Sequence, residues 1–377
     1  MEQWPAVKKS LPIILVLMAG IGISFVAYFF TDKWAEEKWI RSFERESIVH
    51  AKNLEQQLGL TLGAILSVKA LYQASEQVER AEFKAFTNLE LVDRIGIQAM
   101  EWVPRVALED RAEFEAAARR DGLTGFKFTE RKSQGQMIPV EERTEYFPVF
   151  FVEPLAGNKS ALGFDMGSNP IRLEAMHKAR DSGKAVATSR ITLVQESGNQ
   201  YGFLLFEPIY QNGSAIDTVE QRRTALQGFG LGVLRIGDIV EAGSERKDTE
   251  LAVHRDLFLF DTLSPVGSQQ LYPREGTIES RADIMSSVCV DISLQVGGRD
   301  WLIVYCPTAG KANVWRWQSG VVLFAGLMGT GMQVAYLISI LRKKLEVEGL
   351  IEGLRSSDDR YRALFDNAHD MIQSIDL

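Results

Sequence analysis

Two uncharged stretches of membrane-spanning length constrain this chain more than any other feature. Leu11–Phe30 is 20 residues long and Gln318–Leu341 is 24 residues long, and neither contains a charged side chain. About 20 apolar residues cross a bilayer as a helix, because only a helix satisfies its own backbone N–H and C=O groups in lipid. The chain is therefore expected to cross twice and to hold its middle on one side. Lys8 and Lys9 precede the first stretch, and Arg342, Lys343 and Lys344 follow the second. Basic residues favour the cytoplasmic side, which puts both ends in the cytoplasm and the middle outside the inner membrane, in a periplasmic or extracellular space. A cleaved leader is the alternative for the first stretch. Its apolar run is longer than the roughly 7–15 residues of a leader, and Thr31-Asp32-Lys33-Trp34 continues straight into an amphipathic pattern.

With 377 residues the chain has room for two or three domains. Its formal charge of -8 argues against nucleic acid as a partner. From Trp34 to Gln73 there is no proline, and Ile40, Ala51, Leu54, Leu58, Ile65, Val68 and Tyr72 recur at heptad-like spacing, broken by Ser47 and Thr61. About 40 helical residues reach roughly 60 Å, and a helix of that length needs a cover for its apolar stripe. The expected cover is shared between the chain's own globular part and the same helix of a second copy.

Beyond this stalk the pattern mixes strand and helix. Ile97–Val103 alternates like a strand, Glu109–Arg120 reads as a helix, and Glu145–Val152 is aromatic and β-like. A glycine-rich loop, Gly157–Ser168, leads to Asn169-Pro170, a cap and first residue for a helix that Gly183 closes. Val186–Gln195 and Tyr201–Tyr210 read as strands joined at Ser197-Gly198-Asn199, and residues 211–227 read as a polar linker. A second run follows: strand Gly228–Ile236, a short helix Gly237–Ala242, strand Leu257–Leu263, and a hairpin of Val288–Val296 with Arg299–Cys306. Arg342–Asp358 is a charged helix, and Tyr361–Leu377 starts helical and turns strand-like.

The expected fold class is α+β: a long stalk helix plus tandem PAS-like α/β sensor lobes, flanked by two transmembrane helices. The layout is cytoplasmic N-terminus 1–10, span 11–30, stalk 31–75, membrane-distal lobe 76–210, membrane-proximal lobe 211–314, span 315–341, signalling helix 342–358, and 359–377 as the start of a further domain that is cut short.

The residues Ile97–Arg105, Tyr146–Val149, Ala161–Arg172, Ala175–Arg190, Leu193–Glu196 and Phe203–Tyr210, in that order, resemble the CHASE domain, the extracellular sensor of cytokinin receptors and of many bacterial signalling proteins. The closing segment is similar to the opening of a PAS domain. The resemblance implies a receptor with a ligand in the distal lobe, a homodimer joined through the stalk helix, and a cytoplasmic output that is most often a sensor histidine kinase of a two-component system. The alternative output is a diguanylate cyclase or cyclic-di-GMP phosphodiesterase. An adenine-type, cytokinin-like molecule is one ligand the resemblance suggests, although Ser168-Asn169-Pro170 departs from the plant receptors.

Asp165 is the leading candidate for ligand contact. It lies in the glycine-flanked loop, and in cytokinin receptors the matching aspartate hydrogen-bonds the adenine edge. A turn residue holding backbone N–H groups is the competing role. Thr188 on the next strand is the second candidate, against simple strand preference. Gly228-x-Gly-x-Gly232 lacks the spacing of a dinucleotide site, the four histidines stand at no zinc spacing, and no catalytic set is legible, so no cofactor and no metal are expected. If Gly297-Gly298 is a two-residue turn, Cys289 and Cys306 face each other at a separation of about 4.5 Å. A disulfide and a pair of buried thiols both fit that register.

Overall fold

A computed structural model describes residues 4–92, 94–132, 136–192, 201–244, 255–273, 278, 280–284, 288–308 and 316–373. The chain divides into two units, Met1–Arg41 with Asn313–Leu377, and Ser42–Ala312.

In the first unit the start of helix α1 (Trp4–Ala74) meets helix α7 (Arg316–Gln373). Both helices are long and apolar enough to cross a membrane. They approach through small residues: a methyl at Gly20 would collide with Thr330, and one at Gly326 would meet Ser24 Cβ at 2.9 Å. At one end Ser319 donates to Asp32 at 2.9 Å. α7 stays helical through Gln373, so the strand-like turn expected in the closing segment does not occur within the described residues. Trp315, expected at an interfacial belt, lies outside the described residues.

In the second unit the stalk part of α1 carries Phe43, Ser47, Ala51, Leu54, Leu58, Thr61, Ile65 and Val68, all buried. The steps of three and four keep them on one stripe. The stripe is real, but the chain's own lobes cover it. The expectation divided the stripe between the chain's own globular part and a second copy, and these eight residues are all taken up by the first.

The two lobes are called distal and proximal only after their expected places; the first is built on a five-stranded antiparallel sheet in the order β6-β1-β9-β8-β7. Its strands are β1 (Ile97–Pro104), β6 (Phe151–Glu153), β7 (Val186–Ala187), β8 (Gly202–Tyr210) and β9 (Leu226–Arg235). One face (Ala99, Val103, Leu231, Val233) packs on Met176 and Ala179 of helix α4 (Pro170–Ser182). The other face (Met100, Trp102, Ile209) packs on Val68 of the stalk and on Phe83 of helix α2 (Arg80–Leu91). Short strands β2 (Val106–Ala107) with β5 (Glu145–Tyr146), and β3 (Thr129–Arg131) with β4 (Met137–Pro139), add flanking ribbons beside helix α3 (Arg111–Arg120).

β9 is a central strand of this sheet, paired with both β1 and β8. It therefore belongs to the distal lobe and does not open the proximal one, and the expected boundary after residue 210 falls inside the sheet. The expected linker contains helix α5 (Val219–Ala225), started by a reciprocal Thr218–Gln221 capping box. Gly230 and Gly232 of β9 let the stalk approach: a methyl at Gly230 would meet Val68 at 3.1 Å, and one at Gly232 would collide with Ile65.

After helix α6 (Ile236–Ser244), the proximal lobe holds a four-stranded antiparallel sheet in the order β11-β10-β13-β12. Its strands are β10 (Arg255–Asp261), β11 (Gln270–Tyr272), β12 (Val290–Val296) and β13 (Arg299–Pro307). Gly297 and Gly298, at φ 53° and 75°, make the turn between β12 and β13 and fix Val296 opposite Arg299. That register sets Val290 opposite Tyr305, and Cys289 is bonded to Cys306 with Cα atoms 4.4 Å apart.

Candidate binding site

The loop before α4 is organised around Asp165. One carboxylate oxygen accepts from the backbone N–H of Phe147 at 2.7 Å and of Gly167 at 3.1 Å. The other accepts from Arg143 at 3.2 Å, and the same guanidinium donates to Glu130 at 2.6 Å. Asp165 is wholly buried and caps the 3-10 turn Met166–Ser168. Burial raises its pKa most, opposed by the two backbone N–H groups and Arg143. Thr188 is buried too, and its hydroxyl accepts from Leu204 N–H at 3.1 Å while its own N–H donates to Leu204 O at 2.9 Å. The structure therefore engages both sequence candidates with backbone groups of the chain itself.

Beside this loop a cleft of about 420 Å³ opens at the N-terminus of α4. Ser168, Asn169 and Arg172 form one wall, and Arg131, Lys132 and Arg190 line it as well. No acidic side chain is among the described residues that line it. The Asn169 side chain accepts from Ile171 N–H and Arg172 N–H and starts the helix. Residues 193–196, part of the sequence resemblance, lie outside the described residues, as does the expected turn at 197–199.

Arg172 sits at the buried end of the cleft. It is 6% exposed, stacks over Phe164 at 4.8 Å, donates to Met166 Sδ at 3.4 Å, and leaves its Nε without a partner among the described residues. Glu101 is coupled to it electrostatically. This glutamate occupies the middle of β1, opposite Val152 and Leu231. It shares the Ala99 and Val103 face by strand alternation, so it points into the α4 side of the core. Neither of its oxygens has a hydrogen-bond partner among the described residues. Burial, only partly offset by Arg172, pushes Glu101 up to about 8, and burial draws Arg172 down to about 10. Sequence reading missed both. The signal for Glu101 was a carboxylate on the apolar phase of a strand; for Arg172 the sequence carried none.

Arg190 ties the cleft to the proximal lobe. Its guanidinium donates to the carbonyls of Gln270 and, at 2.9 Å, of Gly267, and it lies over the Tyr201 ring at 4.3 Å. Nearby, Ala187 N–H donates to Gly297 O at 2.8 Å, and Phe203 meets Trp301 edge-on at 5.0 Å.

The CHASE domain family matches residues 76–272. Hybrid signal transduction histidine kinase A of Dictyostelium discoideum is 24% identical over 329 residues, covering 81% of this chain and 15% of that protein. The germination-specific adenylate cyclase of the same organism is 25% identical over 169 residues, covering 44% of this chain and 19% of the relative. The chain thus spans less than a fifth of each of these relatives. Among solved structures, the ligand-binding domain of the Pseudomonas aeruginosa amino acid chemoreceptor PctC, in complex with GABA, aligns at a TM-score of 0.37 with 9% identity, over 68% of this chain and 95% of that one. Methyl-accepting Chemotaxis protein X aligns at 0.39 with 11% identity, over 72% and 98%.

Proposed function

This chain belongs to the CHASE-domain family, and on that membership we propose that it is the sensor part of a transmembrane receptor that reads a small ligand outside the membrane and relays it to a cytoplasmic output. The observation that carries the reading is α1. One uninterrupted helix holds an apolar span at its start and the Ile65–Gly232 and Val68–Gly230 contacts with the distal sheet near its end. A ligand that binds two states of the sheet unequally biases such a helix by that difference in affinity.

The basic residues beside each apolar segment support an inner-membrane location, in contact with lipid, with the sensor on the periplasmic or extracellular side. The output is a histidine kinase in this reading, with a PAS domain that opens within residues 359–377; a cyclic-nucleotide or cyclic-dinucleotide enzyme is the rival. In chain order the five strands of the distal sheet run 2-1-5-4-3, which supports a PAS-like lobe. Exposed Ile48, Val49, Leu60 and Leu66 on the stalk support a homodimer through a face other than the buried stripe. The cleft beside α4 is the ligand site, and Asp165 and Thr188 hold its surroundings in shape. An adenine-type ligand on Asp165 has less support, because the chain's own donors occupy both carboxylate oxygens.

Compartment reporters fused after Gly183 and after Ser356 test the layout. Opposite compartments are expected; the same compartment for both refutes it.

A further inference from the structure

We propose that the cleft is an anion site: it takes a small molecule carrying a carboxylate or phosphate group, anchored on the Arg172 guanidinium and flanked by Arg131, Lys132 and Arg190. The proposal rests on the reading of this cleft as the ligand site and names its ligand class.

Three independent features converge. First, Arg172 is a buried guanidinium with no ion pair among the described residues and with Nε unpartnered, although it faces a cleft. A buried donor of that kind is costly unless something accepts from it. Second, the counter-charge it meets among the described residues is Glu101, also buried and without a hydrogen-bond partner among them. With its proton affinity raised to about 8, Glu101 stands mostly protonated at neutral pH and leaves the Arg172 charge uncompensated. Third, Arg131, Lys132 and Arg190 add cations around the same space, with Ser168 and Asn169 at the positive end of the 13-residue helix α4. Four cations facing one cleft repel one another until an anion enters. A carboxylate or phosphate suits the planar fork of a guanidinium, which binds two oxygens at once. Arg190 gives the event a readout. An anion that draws Arg190 inward competes with the carbonyls of Gln270 and Gly267, so binding loosens a tie to the proximal lobe.

The test uses the full chain in detergent micelles at constant ionic strength made up with chloride. One arm is titrated with inorganic phosphate and another with succinate, each followed by thermal shift and calorimetry. A saturable rise in melting temperature is expected in one arm, and that arm identifies the anionic group. Arg172→Gln should weaken that binding by about 10- to 150-fold, the worth of one charge-assisted hydrogen bond. Arg172→Lys retains the charge and should weaken it less. The double change Arg131→Gln with Lys132→Gln alters only exposed residues, so it should fold as wild type and still bind more weakly. No saturable shift in either arm, or equal shifts in wild type and all three variants, overturns the anion site. A neutral or cationic compound from an unbiased thermal-shift screen that loses its effect in Arg172→Gln overturns the anion class but keeps the cleft as the ligand site. A hit indifferent to every variant removes the cleft itself.

Discussion

The hydroxyl of Tyr305 lies 2.6 Å from Nδ1 of His50, joining the stalk helix to the proximal sheet across 255 residues of sequence. The rings meet edge-on at 5.4 Å. Nε2 of His50, Oγ of Ser47 and one carboxylate oxygen of Glu46 are buried there without a partner among the described residues. Burial, and then the charge of Arg255, draws His50 down to about 4. The folded pKa lies below the ordinary 6.5, so the stability it contributes is present above pH 6.5 and is lost as pH falls through about 4. Thermal unfolding followed by near-ultraviolet circular dichroism should show a melting temperature that falls across that window, with a flatter profile in His50→Gln. Identical acid profiles would rule the histidine out as the cause.

Glu101 gives the opposite sign at higher pH. Its folded pKa of about 8 lies above the ordinary 4.5, so stability is full below pH 4.5 and declines as pH rises toward 8. The slope should approach about 1.4 kcal/mol per pH unit. Glu101→Gln removes the titration, so its stability relative to wild type should climb from pH 5 to pH 8 and then level off. Chemical unfolding at several pH values measures this, and a constant difference would contradict it.

Asp165→Ala should act on the fold before it acts on any ligand. It strips the acceptor from Phe147 N–H and Gly167 N–H and leaves Arg143 with Glu130 alone. An unpaired buried donor costs about 1–3 kcal/mol, which a lowered melting temperature without any ligand would register. An unchanged melting temperature would return Asp165 to the role of a direct ligand contact.

Gly232→Ala places a methyl against Ile65, where the stalk crosses β9. Overpacking of this kind costs about 1–3 kcal/mol. Combining it with Ile65→Val should recover part of the loss, and a double-mutant cycle reads that coupling. Simple additivity would place the contact elsewhere.

Unreduced protein should carry one bond between Cys289 and Cys306, and its mass should rise by two hydrogens on reduction. The loop it closes has a sequence separation of 17, so reduction should cost about 3 kcal/mol of stability. Two free thiols in unreduced protein would contradict the pairing.

The sequence by itself determined the features that depend on local pattern. Charge-free length marked two membrane-spanning candidates, steps of three and four drew the stalk stripe, and Asn169-Pro170 with Gly183 bounded α4. Gly297-Gly298 set a hairpin register that brought Cys289 to Cys306. Each is decided within a few turns or residues, where backbone geometry leaves few options. What the stripe packs against was decided only in three dimensions, since an apolar face is the same whether a second copy or the chain's own sheet covers it. The place of β9 was likewise tertiary: a strand's pattern records its two faces but not its neighbours, so a central strand of the distal sheet read as the first strand of another lobe. The cleft followed the same logic. Asp165 was legible because its loop has a motif, whereas Arg131, Arg172 and Arg190 stand far apart in the chain. Only the packing of β3, α4 and the segment after β7 gathers their charges around one space and buries Glu101 behind them.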